Sequence, residues 1–160
     1  MTGHPSRGLA LAALVLVAAA GPSDRQRRLT ADEALALPIV PAGGGTSGLR
    51  AIETRLLHGD PAQGGLYTIS IKVPPNTRIA AHTHRDDRTA VVVSGVWHFG
   101  YGPAASASLT RALAPGGFYT EPAGDPHFAW TGPEGAVVYI TGWGPTDTRY
   151  VNGNDDPAHP

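Results

Sequence analysis

Three histidines are the residues of this chain best suited to chemistry. His82 and His84 are separated only by Thr83, and His127 follows in the run 122–127. On a β-strand, side chains at i and i+2 point to the same face, so the first pair could bind one ion together. An imidazole from a distant strand would complete a facial three-nitrogen site with positions left open for water or substrate. The spacing therefore indicates a metal centre held by His82, His84 and His127.

The elements around these histidines carry strand signals. Apolar and polar residues alternate with a period of two in 66–73, and a β-branched run in 89–94 stops at Gly95. The 21 glycines and 15 prolines punctuate many short segments, as is typical of antiparallel barrels and jelly rolls. The predicted strands are 51–57, 66–73, 78–84, 89–94, 96–101, 107–113, 117–120, 127–130 and 136–143. We therefore predict an all-β fold in one domain.

A short helix is expected before the strands. Thr30 and Glu33 have the spacing of a capping box, and Pro38 ends the helical run soon afterwards. The glycine-rich run 43–48 then serves as a flexible connector. We expect an N-terminal segment at 21–48, a barrel at 49–151 and a loose polar tail at 152–160.

The first 20 residues have the character of a signal peptide. An apolar stretch at 9–20 is too short to span a bilayer, and small residues at 18–20 suit a signal peptidase. Arg7 is the only firm positive charge before that stretch. We expect an exported protein, periplasmic or secreted; an uncleaved N-terminal anchor is the alternative.

Charge and composition narrow the range of partners. The formal net charge is −1, and no basic stripe or aromatic-interleaved basic patch is present, so nucleic acid is not expected as a partner. A second long apolar segment is lacking, so no stable membrane span is expected after cleavage. There is no cysteine, so disulfides and a lipidated cysteine are excluded. Exposed strand edges make a homodimer a candidate assembly.

The histidine-bearing segments resemble the two conserved motifs of the cupin superfamily. In the first motif, cupins have Gly, five residues, His-x-His, three or four residues, Glu, six residues and Gly; here the corresponding positions include Asn76, His82, His84 and Gly95. The resemblance implies a double-stranded β-helix, the cupin jelly-roll barrel, with a short N-terminal helix in front.

The second cupin motif is Gly, five residues, Pro-x-Gly, two residues, His, three residues and Asn. This chain has Gly116, Pro122, Gly124, His127 and then Thr131 in that order. The resemblance implies that His82, His84 and His127 are the metal ligands, and Thr131 replaces an Asn that is not a ligand.

The chain departs from the first motif at the glutamate. Counting with either spacing reaches Arg88 or Thr89, and a cationic Arg88 cannot bind a metal. Two interpretations remain open. The centre could use three histidines alone, which we favour and which some cupins such as the thiol dioxygenases do. Alternatively, a nearby carboxylate could become the fourth ligand, and the candidates are Asp86, Asp87 and Glu121.

Arg88 itself has two interpretations. Asp87 could hold its guanidinium in an ion pair at the barrel mouth, or the guanidinium could bind a substrate carboxylate through two parallel hydrogen bonds. Tyr101 and Tyr119 are further catalytic candidates, as proton donors. An all-imidazole site keeps the full 2+ charge of its ion, which would lower the pKa of bound water or attract an anionic substrate.

Imidazole ligands bind Fe, Zn, Mn, Ni and Cu, so we expect a divalent transition metal as the cofactor, and the ligands do not determine which one. Fe(II) would suggest oxygen chemistry, and Zn would suggest hydrolysis, isomerisation or lyase chemistry. We expect a small-molecule metalloenzyme of the oxygenase or isomerase/lyase type. The rivals are a non-catalytic binding or sensing protein and a barrel whose histidines are merely hydrogen-bonded.

Overall fold

The computed structural model describes residues 26–158, and the expected signal peptide at 1–20 lies outside them. Its secondary structure is one short helix followed by eight strands. These are α1 Ala31–Ala36, β1 Glu53–His58, β2 Gly65–Val73, β3 Arg78–Thr83, β4 Arg88–Tyr101, β5 Thr110–Leu113, β6 Phe118–Glu121, β7 His127–Gly144 and β8 Arg149–Tyr150. The prediction of an all-β fold with one short N-terminal helix is confirmed.

The capping box is present at the start of α1. The Thr30 backbone N–H donates to Glu33 Oε2 at 2.7 Å, and the Glu33 backbone N–H donates to Thr30 Oγ1 at 3.3 Å. Both residues are therefore used to satisfy amides that a helix start leaves unpaired. The helix ends before Pro38, as the sequence indicated.

The long strand β7 organises the antiparallel sheet. It pairs with β2 along its second half, with β3 at its beginning and with β4 along nearly its whole length. β1 extends the sheet beyond β2, β8 extends it beyond β3, and β5 and β6 both pair with β4. The ends of β3, β4, β6 and β7 are thereby brought to one region of the sheet.

Two strands are longer than predicted. The segments 89–94 and 96–101 form the single strand β4, and 127–130 and 136–143 form the single strand β7. Gly95 and Gly135 both have positive φ, of 74° and 70°, and the β4–β7 register shifts beside Gly95. A Cβ on Gly95 would collide with the Gly135 carbonyl oxygen. Each glycine therefore bends its strand instead of ending it, because the partner strand bends at the same place.

The predicted strand 107–113 is also corrected. Ala107–Leu109 is a 3₁₀ turn, and only Thr110–Leu113 pairs with β4. Asn76, which replaces a motif glycine, has φ 53°, a conformation that Asn accepts more readily than most residues. In the tail, Gly153–Asp155 forms a second 3₁₀ turn.

The core lies on the inward faces of the strands. Tyr67, Ile69, Ile71 and Val73 alternate along β2 and are all buried, which is the pattern of a strand with one face on a core. Burying each large aliphatic side chain contributes roughly 1.5–3 kcal/mol. Within residues 26–158, no helix has the length and apolar character needed to cross a bilayer.

Candidate metal centre

The three histidines converge because their strands are paired. His82 on β3 is the register partner of His127, the first residue of β7, and His84 directly follows β3. The ring centroids lie 4.5 Å apart for His82 and His127, 4.9 Å for His82 and His84, and 5.1 Å for His84 and His127. All three side chains are buried.

Backbone carbonyls fix the orientation of the three rings. The Nδ1 atoms of His82, His84 and His127 lie 2.7, 2.5 and 3.1 Å from the carbonyl oxygens of Ala80, Asp147 and Asp125 respectively. Since a carbonyl only accepts, each Nδ1 carries the proton, and each Nε2 presents its lone pair. This arrangement is usual for metal-bound imidazoles.

The Nε2 atoms of His84 and His127 are buried and have no hydrogen-bond partner. The ligand atoms of the three histidines lie within 4.8 Å of one another. Two nitrogens bound to one ion at about 2.1 Å can be no more than about 4.2 Å apart, so small side-chain movements would suffice to close around an ion. The residues present therefore fit a metal: three ligand nitrogens lie close together, and those of His84 and His127 are buried without a hydrogen-bond partner.

The imidazoles are held in their neutral form. Burial lowers the pKa of His82 to about 4, assisted by the neighbouring His127, and burial lowers the pKa of His127 to about 4 as well. Burial also lowers the pKa of His84, and the nearby Arg88 guanidinium adds to this effect. Neutral imidazole is the form that binds a metal.

A carboxylate occupies the remaining side of the histidine cluster. Glu121, at the end of β6, is the register partner of Arg88, at the start of β4. Its Oε2 atom lies 3.8 Å from His84 Nε2 and 3.7 Å from His127 Nε2, too far for hydrogen bonds but close enough for a shared ion. The carboxylate missing from the first motif is thus present on the facing strand.

Arg88 neutralises this carboxylate. Its Nε atom donates to Glu121 Oε2 at 2.5 Å, its second terminal nitrogen contacts the same oxygen, and both side chains are buried. The Glu121 carboxylate raises the pKa of Arg88 against the effect of burial. The expected ion pair between Arg88 and Asp87 is therefore not formed.

The two other carboxylate candidates are engaged elsewhere. Asp86 accepts hydrogen bonds from the Tyr67 hydroxyl at 2.8 Å and the Thr146 hydroxyl at 2.5 Å. Asp87 is exposed and accepts from the Ala123 backbone N–H at 2.8 Å. Of the three carboxylates considered from the sequence, the structure brings Glu121 alone to the histidines.

The glycine-rich run 43–48, which we call the strap, lies over the mouth of the site. Side chains of the barrel hold it by its carbonyl groups. Arg88 Nη1 donates to Gly45 O at 2.7 Å, Thr148 Oγ1 to Thr46 O at 2.8 Å, and Tyr150 Oη to Ser47 O at 2.5 Å. Within residues 26–158, no backbone-to-backbone hydrogen bond joins the strap to a strand.

The strap, the histidines and the core line one small cavity of about 30 Å³. The histidines, Arg88 and Glu121 form its polar side, and isoleucines and aromatic rings form the rest. The apolar and aromatic lining residues are Ile52, Ile71, Ile79, Trp97, Phe99, Tyr119, Ala129 and Ile140. A space of this size holds a water molecule or an ion but no larger ligand.

The two tyrosine candidates differ in position. Tyr119 is buried in the cavity wall, and its ring stacks on Phe99 at a centroid distance of 4.0 Å. Burial raises the pKa of the Tyr119 hydroxyl well above its usual value, so the group is a proton carrier. Tyr101 is 47% exposed, and its hydroxyl donates to the Thr120 carbonyl oxygen outside the cavity.

Sequence reasoning missed the strap as a wall of the site and Trp97 as a lining residue. The strap was expected to be a flexible connector, because nothing local shows that its carbonyls meet Arg88, Thr148 and Tyr150. Nothing in the sequence around Trp97 marks it as a lining residue of the site. Its indole nitrogen is buried without a partner, which only the assembled cavity reveals.

No protein-family model matches the sequence, and no curated protein matches it significantly. Solved structures do match the fold. The polyketide cyclase RemF from Streptomyces resistomycificus aligns with a TM-score of 0.64 and 20% identity, covering 82% of this chain and 89% of the other. An RmlC-like cupin from Shewanella frigidimarina aligns with a TM-score of 0.53 and 19% identity, covering 68% of this chain and 85% of the other.

A third similar structure is the DMSP lyase DddQ from Ruegeria pomeroyi. It aligns with a TM-score of 0.53 and 19% identity, covering 67% of this chain and 55% of the other. At these identities the shared property is the fold. These matches confirm the predicted fold, the jelly-roll barrel that this chain shares with the RmlC-like cupin and the two enzymes.

Proposed function

We propose that His82, His84 and His127 bind one divalent transition metal, with Glu121 as a fourth protein ligand, and that the protein is a small-molecule metalloenzyme of the oxygenase or isomerase/lyase type. The observation that carries this proposal is the convergence of three buried imidazoles whose Nδ1 atoms are tied to carbonyls. One ring nitrogen of each histidine lies within 4.8 Å of the others, a separation that a bound metal ion could bridge after small side-chain movements.

A bound divalent ion would supply Lewis acidity, or redox chemistry if it is iron. The Arg88 guanidinium holds the Glu121 carboxylate beside the imidazoles. The apolar walls exclude water from whatever lies against the polar side of the cavity. A binuclear or extended site is not supported, since no other group of this kind is found among the described residues.

The lining and the volume of the cavity limit the charge and the size of the substrates that could bind. Arg88 is committed to Glu121 and to the strap, so the support for an anionic substrate bound by this guanidinium is weaker than the sequence alone suggested. The isoleucine and aromatic lining favours a small compound with an apolar body. A substrate larger than water would have to displace lining residues, such as those of the strap, or extend beyond the cavity, because its volume is only about 30 Å³.

Metal analysis of protein purified without an affinity tag tests the centre. We expect one equivalent of metal in the parent protein and loss of that metal in His82→Ala. His98→Ala is the matched control, because His98 stacks on Trp130 away from the cavity and its loss should leave the metal content unchanged. A parent protein that stays empty after metal supplementation would overturn the proposal.

Enzyme and binding protein are separated by turnover. The metal-loaded protein is incubated with a panel of small carbonyl, hydroxyl and carboxylate compounds in air and under nitrogen. Product beyond one equivalent supports an enzyme, and dependence on oxygen selects the oxygenase class over the isomerase/lyase class. Stoichiometric binding without product supports the sensing alternative.

Export is part of the proposal and is supported by the apolar stretch at 9–20 and the small residues that end it. N-terminal sequencing of the protein recovered from the periplasm or medium tests it. A new N-terminus near residue 21 is the expected result, and an intact leader on protein retained in the cytoplasm would contradict it.

A further inference from the structure

Two buried hydrogen-bond donors in the cavity wall make no well-formed hydrogen bond. The Tyr119 hydroxyl and the Trp97 indole N–H are inaccessible to solvent and lie near each other, but neither has a partner at hydrogen-bonding geometry. Tyr119 is 6% exposed and Trp97 is 2% exposed. Buried polar groups are nearly always paired, because leaving one unpaired costs free energy, so an unpaired donor at a cavity needs an explanation.

The unpaired groups are concentrated at one place. Within residues 26–158, five buried side-chain polar atoms lack a partner, and four of them belong to residues that line this cavity. The fifth belongs to Arg55, which does not line it. His84 and His127 present lone pairs, whereas Tyr119 and Trp97 present protons. The cavity therefore offers acceptors for a cation and donors for an electron-rich atom.

The two donors are held rigidly by different strands. Tyr119 lies on β6, and its ring is fixed by stacking on Phe99. Trp97 lies on β4, where its neighbours across the ladder are Leu113 and Thr131. The apolar lining residues, such as Ile79 and Ile140, offer no acceptor, and no polar lining residue makes a hydrogen bond to either donor. An oxygen atom of a bound molecule would provide the missing acceptor.

We propose that Tyr119 and Trp97 form an oxygen-recognition pair that donates hydrogen bonds to a ketone, enolate or carboxylate oxygen of the small molecule that this cavity takes. The inference rests on the proposed function in that it takes the same cavity as the ligand site. It adds the substrate class: an apolar body carrying at least one carbonyl-type oxygen close to the metal ligands.

Formate is the probe, because it is the smallest molecule with such an oxygen. The readout is the ¹H–¹⁵N resonance of the Trp97 indole in zinc-loaded and in metal-free protein. The chain has three tryptophans, so Trp97→Phe assigns the signal by its disappearance. Binding should move the Trp97 resonance, and the titration gives Kd. Imidazole is the control probe, since its ring binds metal through nitrogen without offering these donors an oxygen.

Tyr119→Phe should raise the Kd for formate about three- to tenfold, which corresponds to the loss of one hydrogen bond. It should leave the metal content and the Kd for imidazole unchanged. Tyr101→Phe is the matched control, because it also removes a tyrosine hydroxyl but outside the cavity, and it should change neither Kd. If Trp97→Phe fails to fold, Trp130→Phe and Trp143→Phe assign the Trp97 resonance by elimination, and Tyr119→Phe still decides.

The proposal is overturned if formate leaves the Trp97 indole resonance unmoved in both forms. It is also overturned if Tyr119→Phe binds formate as tightly as the parent, even where its melting temperature changes, because that result indicates a bridging water only. A protein that takes no zinc but still shows the Tyr119-dependent formate shift would refute the metal proposal and support the donor pair.

Discussion

The cavity has two kinds of wall, and they are built differently. One wall consists of β3, β4, β6 and β7, whose backbone ladders fix His82, His127, Arg88 and Glu121 in register, with His84 directly after β3. The other wall is the strap, which is held by three side-chain donors acting on its carbonyl groups. The ladder wall can move only if the sheet opens, whereas the strap can leave after three hydrogen bonds break.

This difference between the walls shows how a small barrel can hold its metal-binding side chains in fixed positions and still admit a ligand. Ligand groups need positions accurate to a fraction of an ångström, which paired strands provide. A cavity of about 30 Å³ must also make room for a ligand, and a glycine-rich segment without ladder hydrogen bonds can move at a small cost in free energy. Four predictions follow from the contrast, in order of expected effect.

Lowering the pH should lower the free energy of unfolding, because the wall formed by the strands contains the buried histidines. Unfolded histidine titrates near pH 6.5, whereas His82 and His127 have a folded-state pKa of about 4, so the unfolded chain binds more protons between these values. Stability therefore falls as pH drops from about 6.5 to about 4, by on the order of 3 kcal/mol for each of the two. Urea unfolding of metal-free protein across this range measures the loss. His127→Gln should flatten the dependence and His98→Gln should not; equal curves for both would contradict the explanation.

Removing Arg88, which contacts both walls, should lower the free energy of unfolding by slightly less than acid does. Arg88→Met leaves the buried Glu121 carboxylate without its partner, and breaking such a pair typically costs about 3–5 kcal/mol. The double variant Arg88→Met/Glu121→Gln should recover most of that loss. Arg149→Met is the matched control, because Arg149 pairs with Asp147 at 3.0 Å but is 74% exposed, and its loss should cost under about 1 kcal/mol. If urea unfolding shows that Arg88→Met and Arg149→Met lower the free energy of unfolding equally, the buried ion pair is no more important for stability than the exposed one, and the prediction is contradicted.

Substituting alanine for one glycine in each wall should show which wall unfolds with the whole domain and which opens locally. Gly95 in β4 and Gly45 in the strap have φ of 74° and 81°, and a Cβ would collide with the Gly135 carbonyl oxygen or with Thr146 Cγ2. Backbone strain of this kind costs about 1–3 kcal/mol. Gly95→Ala should lower the global free energy of unfolding by that amount or more. Gly45→Ala should instead speed amide exchange at 43–48 with little global change, and a global loss as large as that of Gly95→Ala would show that the strap is not an independent unit.

Removing the hydroxyls that hold the strap should have the smallest effect. Thr148→Val and Tyr150→Phe each delete one hydrogen bond to a strap carbonyl, worth about 0.5–1.5 kcal/mol. Since the chain has no cysteine, Ala129→Cys places a unique thiol in the cavity wall as a reporter of opening. In metal-free protein, each variant should speed labelling of this thiol about two- to tenfold. Tyr101→Phe, which loses a hydroxyl-to-carbonyl bond elsewhere, should leave the rate unchanged, and equal rates in all variants would mean that entry does not pass the strap.

The fold and the histidine cluster could be predicted from the sequence because their signals are local. The period of two in β2 and the spacing of His82 and His84 each involve a few neighbouring residues. The bends at Gly95 and Gly135 were mistaken for strand ends. A glycine in isolation does not show whether its strand continues, since that depends on a partner strand that bends with it.

The polar contacts of the site could not be predicted, because they depend on pairings between distant segments. Arg88 and Glu121 face each other only through the β4–β6 register, and the sequence had left Asp86, Asp87 and Glu121 as equal candidates. The same holds for the strap, where Gly45 meets Arg88 across 43 positions of the chain. Such contacts depend on which strands are paired, and the local sequence does not predict them.

The Arg88 side chain touches both walls at once, and this has a thermodynamic consequence. One end of its guanidinium binds the Glu121 carboxylate beside the histidines, and another nitrogen binds the strap carbonyl of Gly45. Anything that draws Glu121 toward an ion changes the position from which Arg88 holds the strap, and release of the strap changes how firmly Glu121 is held. Linkage makes such effects reciprocal: the factor by which strap opening alters metal affinity equals the factor by which metal alters strap opening.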